Sequence, residues 1–186
     1  DAISAISPAR SGQASRIWQR CYNGIMRANE VIECVLASDI DEDDKMAIQA
    51  EARVLRAFFY YYLTNTFNGV PFYTCMVKDM QTMEMIRTLP RTDARIIRTT
   101  LYEDLRDNAI PYLPEVRASE VKGNRMGYAM GLMLMGKFAM WNKEWTLALE
   151  PLQKLESLYG TLDEANYPLE ETVWWKKNTK ESIFEV

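Results

Sequence analysis

The sequence predicts an all-α fold of TPR-like helical pairs packed as an α-solenoid with irregular loops, and three observations carry that expectation. Apolar residues recur at three- and four-residue spacing in roughly residues 14–36, 44–67, 93–109 and 125–152. The second of these stretches is apolar around most of its circumference, so other helices must pack on several of its sides. In the fourth, Met135, Gly136, Trp145, Ala148 and Leu152 fall at the spacing of a tetratricopeptide (TPR) hairpin, where small residues let paired helices approach closely.

Composition narrows the function classes. At 186 residues the chain can bury a real core and reads as a single helical domain over residues 1–186. It carries 26 acidic and 22 basic residues, a net charge of -4, so no nucleic-acid partner is expected. It has no run of about 18 uncharged apolar residues and no basic-then-apolar signal pattern, so it is expected to be soluble as given or to have lost a targeting segment. Histidine is absent, which removes His-based triads, most zinc sites and the commonest general base; no metal and no cofactor are expected. Cys21, Cys34 and Cys75 show neither CxxC spacing nor an even count. Cys21 and Cys34 lie too far apart along one helix to bridge, and both read as small buried hydrophobes.

In chain order, residues 1–13 read as a loop. The first helix, about 14–36, has an apolar stripe of Ile17, Trp18, Cys21, Tyr22, Ile25, Ala28, Ile32 and Val35. Asn29 interrupts that stripe and is expected to bond to a neighbouring backbone or side chain, because an unpaired buried amide costs about 1–3 kcal/mol. Asp39, Asp41, Asp43 and Asp44 fail the EF-hand pattern, which needs glycine and glutamate where Asp44 and Ala50 stand. Asp41 or Asp43 as N-cap, with Asp44 in the first turn, is the better account. The second helix has one narrow polar stripe, Gln49, Arg53, Arg56, Tyr60 and Thr64, expected to be wet, while residues such as Val54, Ala57, Phe58 and Leu63 cover the rest. It should stop at Asn68-Gly69, with Val70-Pro71 forcing an extended exit.

Residues 72–90, with Met76, Met80, Met83 and Met85, read as a surface excursion, either loop or short irregular helix. Thr92-Asp93 opens a helix that buries Ile97, Leu101, Leu105 and Ala109 and ends near Pro111 and Pro114. A polar linker with Gly123 follows, then two antiparallel helices. In them Gly127, Gly131 and Gly136 are compensated by close packing, and Pro151 should kink the second.

Several quoted runs resemble one family. They are Trp18-x3-Tyr22-x2-Ile25-x-Arg27-Ala28-Asn29; Glu51-Ala-Arg-Val-Leu-Arg56-Ala57-Phe58 with Phe67-Asn-Gly69-Val70-Pro71; and Arg91-Thr92 with Tyr102-x-Asp104-Leu105 and Tyr112-Leu113-Pro114. The Met135-Gly136 to Ala148 hairpin and Asn178-x2-Glu181-x-Ile183-Phe184 complete the series. Taken together they are similar to the SusD/RagB family, glycan-binding lipoproteins of Bacteroidetes outer membranes. Gly127 and Tyr128 depart from the hydroxyl and lysine that relatives often carry at that helix start. Family members are much longer, so the resemblance implies a fragment with a partial second half, lacking the N-terminal lipoprotein signal and the C-terminal half.

By that resemblance the intact protein is lipid-anchored on the extracellular face of the outer membrane. There it lids a TonB-dependent, SusC-like transporter and holds oligosaccharides or other nutrients for import without catalysing a reaction. Sugars are held by aromatic faces and by amide or guanidinium hydrogen bonds. Trp18 and Asn23, a little over one turn apart on the first helix, supply one of each, against a competing core role for Trp18. Trp174 and Trp175 are expected to point different ways, with core packing favoured. Two other readings stand beside this one. An all-helical glycoside hydrolase would need two carboxylates from Glu51 and Glu103 or Asp104, whose default use is in surface salt bridges. A generic TPR-like protein-interaction scaffold would need the helical pair to recur, and one convincing copy is visible.

Overall fold

A computed structural model describes residues 12–121, 125–161, 163–172, 174–177 and 179–184. Helix α1 (Gly12–Leu36) buries Cys21, Ile25, Ala28, Asn29 and Ile32, a stripe at the predicted spacing. Helix α2 (Glu42–Phe67) begins at Asp41, whose carboxylate accepts the Asp43 N–H at 3.0 Å. Glu42, Asp43 and Asp44 occupy its first turn, where the positive end of the macrodipole favours them. It ends at Asn68, whose φ of 59° with ψ of -124° is a backbone conformation that residues other than glycine rarely adopt. Strand β1 (Val70–Pro71) leaves extended and pairs antiparallel with β2 (Arg91–Thr92), Val70 opposite Thr92.

Between those strands, the methionine-bearing excursion forms α3 (Met80–Arg87), capped by Asp79 and burying no residue of its own. Helix α4 (Ala94–Asn108) is capped by Asp93 and buries Ile97, Leu101 and Leu105, with Ala109 buried beyond its end. Single 3-10 turns at Ile110–Tyr112 and Ala118–Glu120 lead to α5 (Tyr128–Trp141) and α6 (Trp145–Tyr159), and a further turn covers Leu169–Glu171. Of the loop expected over residues 1–13, residues 1–11 lie outside the described residues and Gly12 and Gln13 already belong to α1; the Gly123 linker position also lies outside.

The helices pack as two hairpins, α1 on α2 and α5 on α6, with α4 against both α2 and α5. Helix α2 therefore touches α1, α4 and α5, which is why it is apolar on several sides. The buried centre includes Tyr60 and Leu63 of α2, Ile25 of α1, Ile97 and Leu101 of α4, and Phe138 of α5. Gly136 makes the second hairpin close: a Cβ there would lie 2.7 Å from Leu152 Cδ2. Pro151 sits inside α6 and cannot bond back to the Leu147 carbonyl. The Tyr102 hydroxyl on α4 donates to that carbonyl instead, at 3.2 Å, so the proline's missing bond docks a neighbouring helix.

Two expectations are corrected here. The polar stripe of α2 is not wet: Gln49, Arg56, Tyr60 and Thr64 are buried and Arg53 is partly buried. Residues of that kind look alike in sequence whether they face water or protein; here Arg56 and Tyr60 bond to the backbone of residues 73–74 and Arg53 pairs with Asp104. Cys34 is exposed, its thiol 3.8 Å from the Met76 thioether, whereas Cys21 is buried as expected.

Candidate ligand-binding surface

The α1/α2 hairpin carries a rail of polar side chains, and residues 71–76 lie along it. On α1 the Tyr22 hydroxyl donates to the Pro71 carbonyl at 2.7 Å, Asn29 Nδ2 donates to the Cys75 carbonyl at 3.1 Å, and Glu33 accepts the Met76 N–H at 2.7 Å. On α2 the Tyr60 hydroxyl donates to the Tyr73 carbonyl at 2.8 Å and accepts the Tyr73 N–H at 3.0 Å, while Arg56 donates to the Thr74 carbonyl at 3.2 Å. The members recur at four- and seven-residue steps, so each helix turns one face to the segment. Burial raises the Tyr60 and Tyr22 hydroxyls well above the usual phenol range, which keeps both as donors.

Beneath the segment lies an ionic cluster. Asp104 of α4 accepts from Arg53 at 2.5 Å and from Arg56 at 2.6 Å, and Arg56 also donates to Asn29 Oδ1 at 2.8 Å. Burial lowers the Arg56 guanidinium pKa while Asp104 pulls it back up, so the charge is held by its partner. Asn29 is thus bonded on both ends of its amide, the structural role its place in the stripe implied. Asp104 is fully engaged, Glu51 is paired to Arg125 at 2.8 Å, and Glu103 is exposed. The three nominated acids therefore serve ion pairs or solvent.

Trp18 and Asn23 are placed differently from each other. Trp18 is partly buried, 4.9 Å from the Tyr22 ring and 5.1 Å from Phe67 in an edge contact, with the Arg91 guanidinium 5.6 Å from its centroid. Asn23 is exposed, and five residues place it about 140° round the helix from Trp18. The two do not share one face.

The exposed aromatic pair stands elsewhere. Trp174 and Trp175 are 87% and 77% exposed, which overturns the expectation that core packing would claim them. They sit on a turn closed by the Trp175 and Lys176 N–H groups donating to the Thr172 carbonyl at 3.0 and 3.1 Å. Beside them is an open depression of about 210 Å³, whose lining includes Asn166, Tyr167, Glu171, Lys176, Lys177 and Lys180. Thr179 also lines it, with a buried hydroxyl that has no hydrogen-bond partner. Tyr159 at the end of α6 and Tyr167 beyond it hold this region in place. The Tyr167 hydroxyl donates to the Tyr159 carbonyl, the Tyr159 hydroxyl donates to the Ser182 carbonyl at 2.9 Å, and Phe184 meets Phe58 of α2 at 5.8 Å. Asn178 of the quoted C-terminal motif lies outside the described residues.

This arrangement can stack planar faces and offer amide, hydroxyl and ammonium groups beside them. Adjacent tryptophans are the sequence signal that could have located it, had the missing helical period around them been read as surface.

Comparison with known proteins agrees with the fold. A SusD-like family profile, described as starch-binding and associating with the outer membrane, matches residues 4–122. SusD-like protein P25 of Formosa agariphila is 28% identical over 158 residues, covering 84% of this chain and 29% of that protein. A SusD-like protein of Bacteroides fragilis superposes with a TM-score of 0.79 at 23% identity, over 97% of this chain and 35% of its own. A laminarin-binding SusD-like protein superposes with a TM-score of 0.74 at 26% identity, over 90% of this chain and 36% of its own. The chain thus spans about a third of the length of the relatives it matches.

Proposed function

Because the chain belongs to the SusD-like family, we propose that it is the helical part of a longer surface protein that binds oligosaccharide at the outer membrane and passes it to a TonB-dependent transporter. One observation carries the binding half of this reading: two adjacent tryptophans stand in solvent beside a depression lined with amide, hydroxyl and ammonium groups. Exposed aromatic rings offer flat faces on which a sugar ring can stack. The laminarin-binding neighbour supports a saccharide as the ligand. The proposed role is recognition without chemistry, in keeping with the starch-binding description of the family.

The test is affinity electrophoresis of the full-length protein through a polysaccharide panel that includes laminarin. Trp174→Ala and Trp175→Ala are expected to lose retardation while their melting curves stay within a degree or two of the parent. Unchanged retardation in both variants would remove this surface from the reading. The same gels run with Trp18→Ala and Asn23→Ala test the separate proposal that the start of α1 contacts sugar. There a ligand role requires lost retardation beyond any fall in Tm. Transporter delivery and a lipid anchor are proposed on family grounds, and co-purification of a large β-barrel with the membrane-extracted protein is the check for the first.

A further inference from the structure

We propose that the depression beside Trp174 and Trp175 receives the acidic group of an anionic oligosaccharide, a uronate carboxylate or a sulfate ester. The inference rests on the oligosaccharide reading above and narrows its ligand class. Lys176, Lys177 and Lys180 line the depression with a single acid, Glu171. Lys176 is 3.7 Å from Glu171, whereas Lys177 and Lys180 have no carboxylate partner among the described residues. Elsewhere Lys45, Lys78 and Lys154 each hold a carboxylate at 3.2, 2.5 and 3.0 Å, while Lys137 lies over the Tyr61 ring; what distinguishes the depression is that three lysines converge on it with one acid, in a chain of net charge -4.

The second observation is independent of charge. Thr179 is only 8% exposed, its hydroxyl has no partner, and it lines the same depression. A buried hydroxyl is rarely left unbonded, and the oxygen of a ligand entering here would accept from it. An ammonium donates and cannot accept, so two unpaired lysines and an unpaired hydroxyl together present donors in excess of acceptors. The complement is an oxygen anion, because charge-assisted hydrogen bonds are roughly twice as strong as neutral ones. The tryptophans on the adjoining turn would carry the sugar ring that bears the group.

The experiment is calorimetric titration of the full-length protein with four probes: laminarihexaose, an oligogalacturonate of equal length, a sulfated galactan oligosaccharide of equal length, and inorganic sulfate. At low salt at least one acidic saccharide is expected to bind about tenfold or more tighter than laminarihexaose, an advantage that salt shrinks as the Debye length falls. Lys177→Gln with Lys180→Gln should abolish that advantage, and Thr179→Val should weaken the acidic saccharide several-fold, with Tm unchanged in the lysine variant. Trp174→Ala should weaken every saccharide that binds. Whichever acidic probe binds tighter identifies carboxylate or sulfate as the favoured group. Equal or tighter binding of laminarihexaose, unaffected by the lysine changes but lost with Trp174→Ala, would overturn the anionic assignment and leave the oligosaccharide reading standing. Binding of inorganic sulfate as tight as the sulfated saccharide, with the same lysine dependence, would reduce the site to an adventitious ion only. No saccharide binding that depends on Trp174 would overturn both.

Discussion

Arg56 brings a charge into an interior where, among the described residues, Asp104, Asn29 and the Thr74 carbonyl answer it. Truncating one member of a buried ion pair leaves the others desolvated, so Arg56→Ala is expected to lower stability by about 3–5 kcal/mol in denaturant titration. Arg53 shares Asp104 but is more exposed, and Arg56 remains to satisfy the acid when it goes. Arg53→Ala should therefore cost about 1 kcal/mol, and equal losses for the two variants would count against this division of roles. Asn29 was readable as structural because an amide on an apolar stripe has few other uses. Arg56 was not, since its partners lie 27 and 48 residues away in sequence and its spacing fits a solvated face equally well. The same limit applies to aromatics: Phe138 is fully enclosed while Phe58 is only partly buried against Phe184 and Tyr62. Phe138→Ala should cost about 3–5 kcal/mol and Phe58→Ala distinctly less, measured by the same titration.

At the scale of elements, capping signals carried the sequence reading furthest. Asp41 and Asp93 each cap a helix because a carboxylate reaches the free N–H groups of the first turn, a rule that needs no tertiary information; Asp79 caps α3 by the same rule, in a stretch whose sequence reads only as loop or short irregular helix. Helix-to-helix distance was legible at Gly136 through its hairpin spacing and hidden at Gly24, where a Cβ would lie 2.1 Å from the Phe59 ring of α2. The excursion between α2 and α4 owes its position to the polar rail, whose far end is Glu33. That carboxylate accepts the Met76 N–H and pairs with Lys78 at 2.5 Å, and the two bonds hold its pKa below the usual value. A depressed carboxylate stabilises the folded state above the unfolded pKa and loses that contribution as pH falls through the folded one. Amide exchange at Met76 should therefore quicken, relative to the chemical rate, as pH drops below roughly 4, while α2 stays protected. Glu33→Gln should show the faster exchange already at neutral pH, and identical protection in parent and variant would rule the tether out.

For the whole molecule, the question is what a chain spanning about a third of its relatives does with the surface it turns outward. Part of that surface is apolar: Trp141, Trp145 and Leu149 are each more than half exposed on the α5/α6 hairpin. A second patch lies across α1 and α2, where Val31, Ala52 and Leu55 line an open groove with Met126 and Phe184, bordered by the Arg125–Glu51 pair. Periodicity marked these residues as apolar, but it cannot distinguish a face buried within these 186 residues from one buried by chain outside them. Contiguous apolar patches on a soluble surface favour association. Residues 1–186 expressed alone are therefore expected to bind a hydrophobic dye and to self-associate reversibly in sedimentation velocity at micromolar concentration. The full-length protein should do neither. Replacing Val31 and Leu55 by glutamate should return the 186-residue chain to a monomer without loss of helical signal, if that groove is the associating face. A parent chain that sediments as a clean monomer and leaves the dye dark would show that these patches need no covering, and would remove the argument that further chain packs on them.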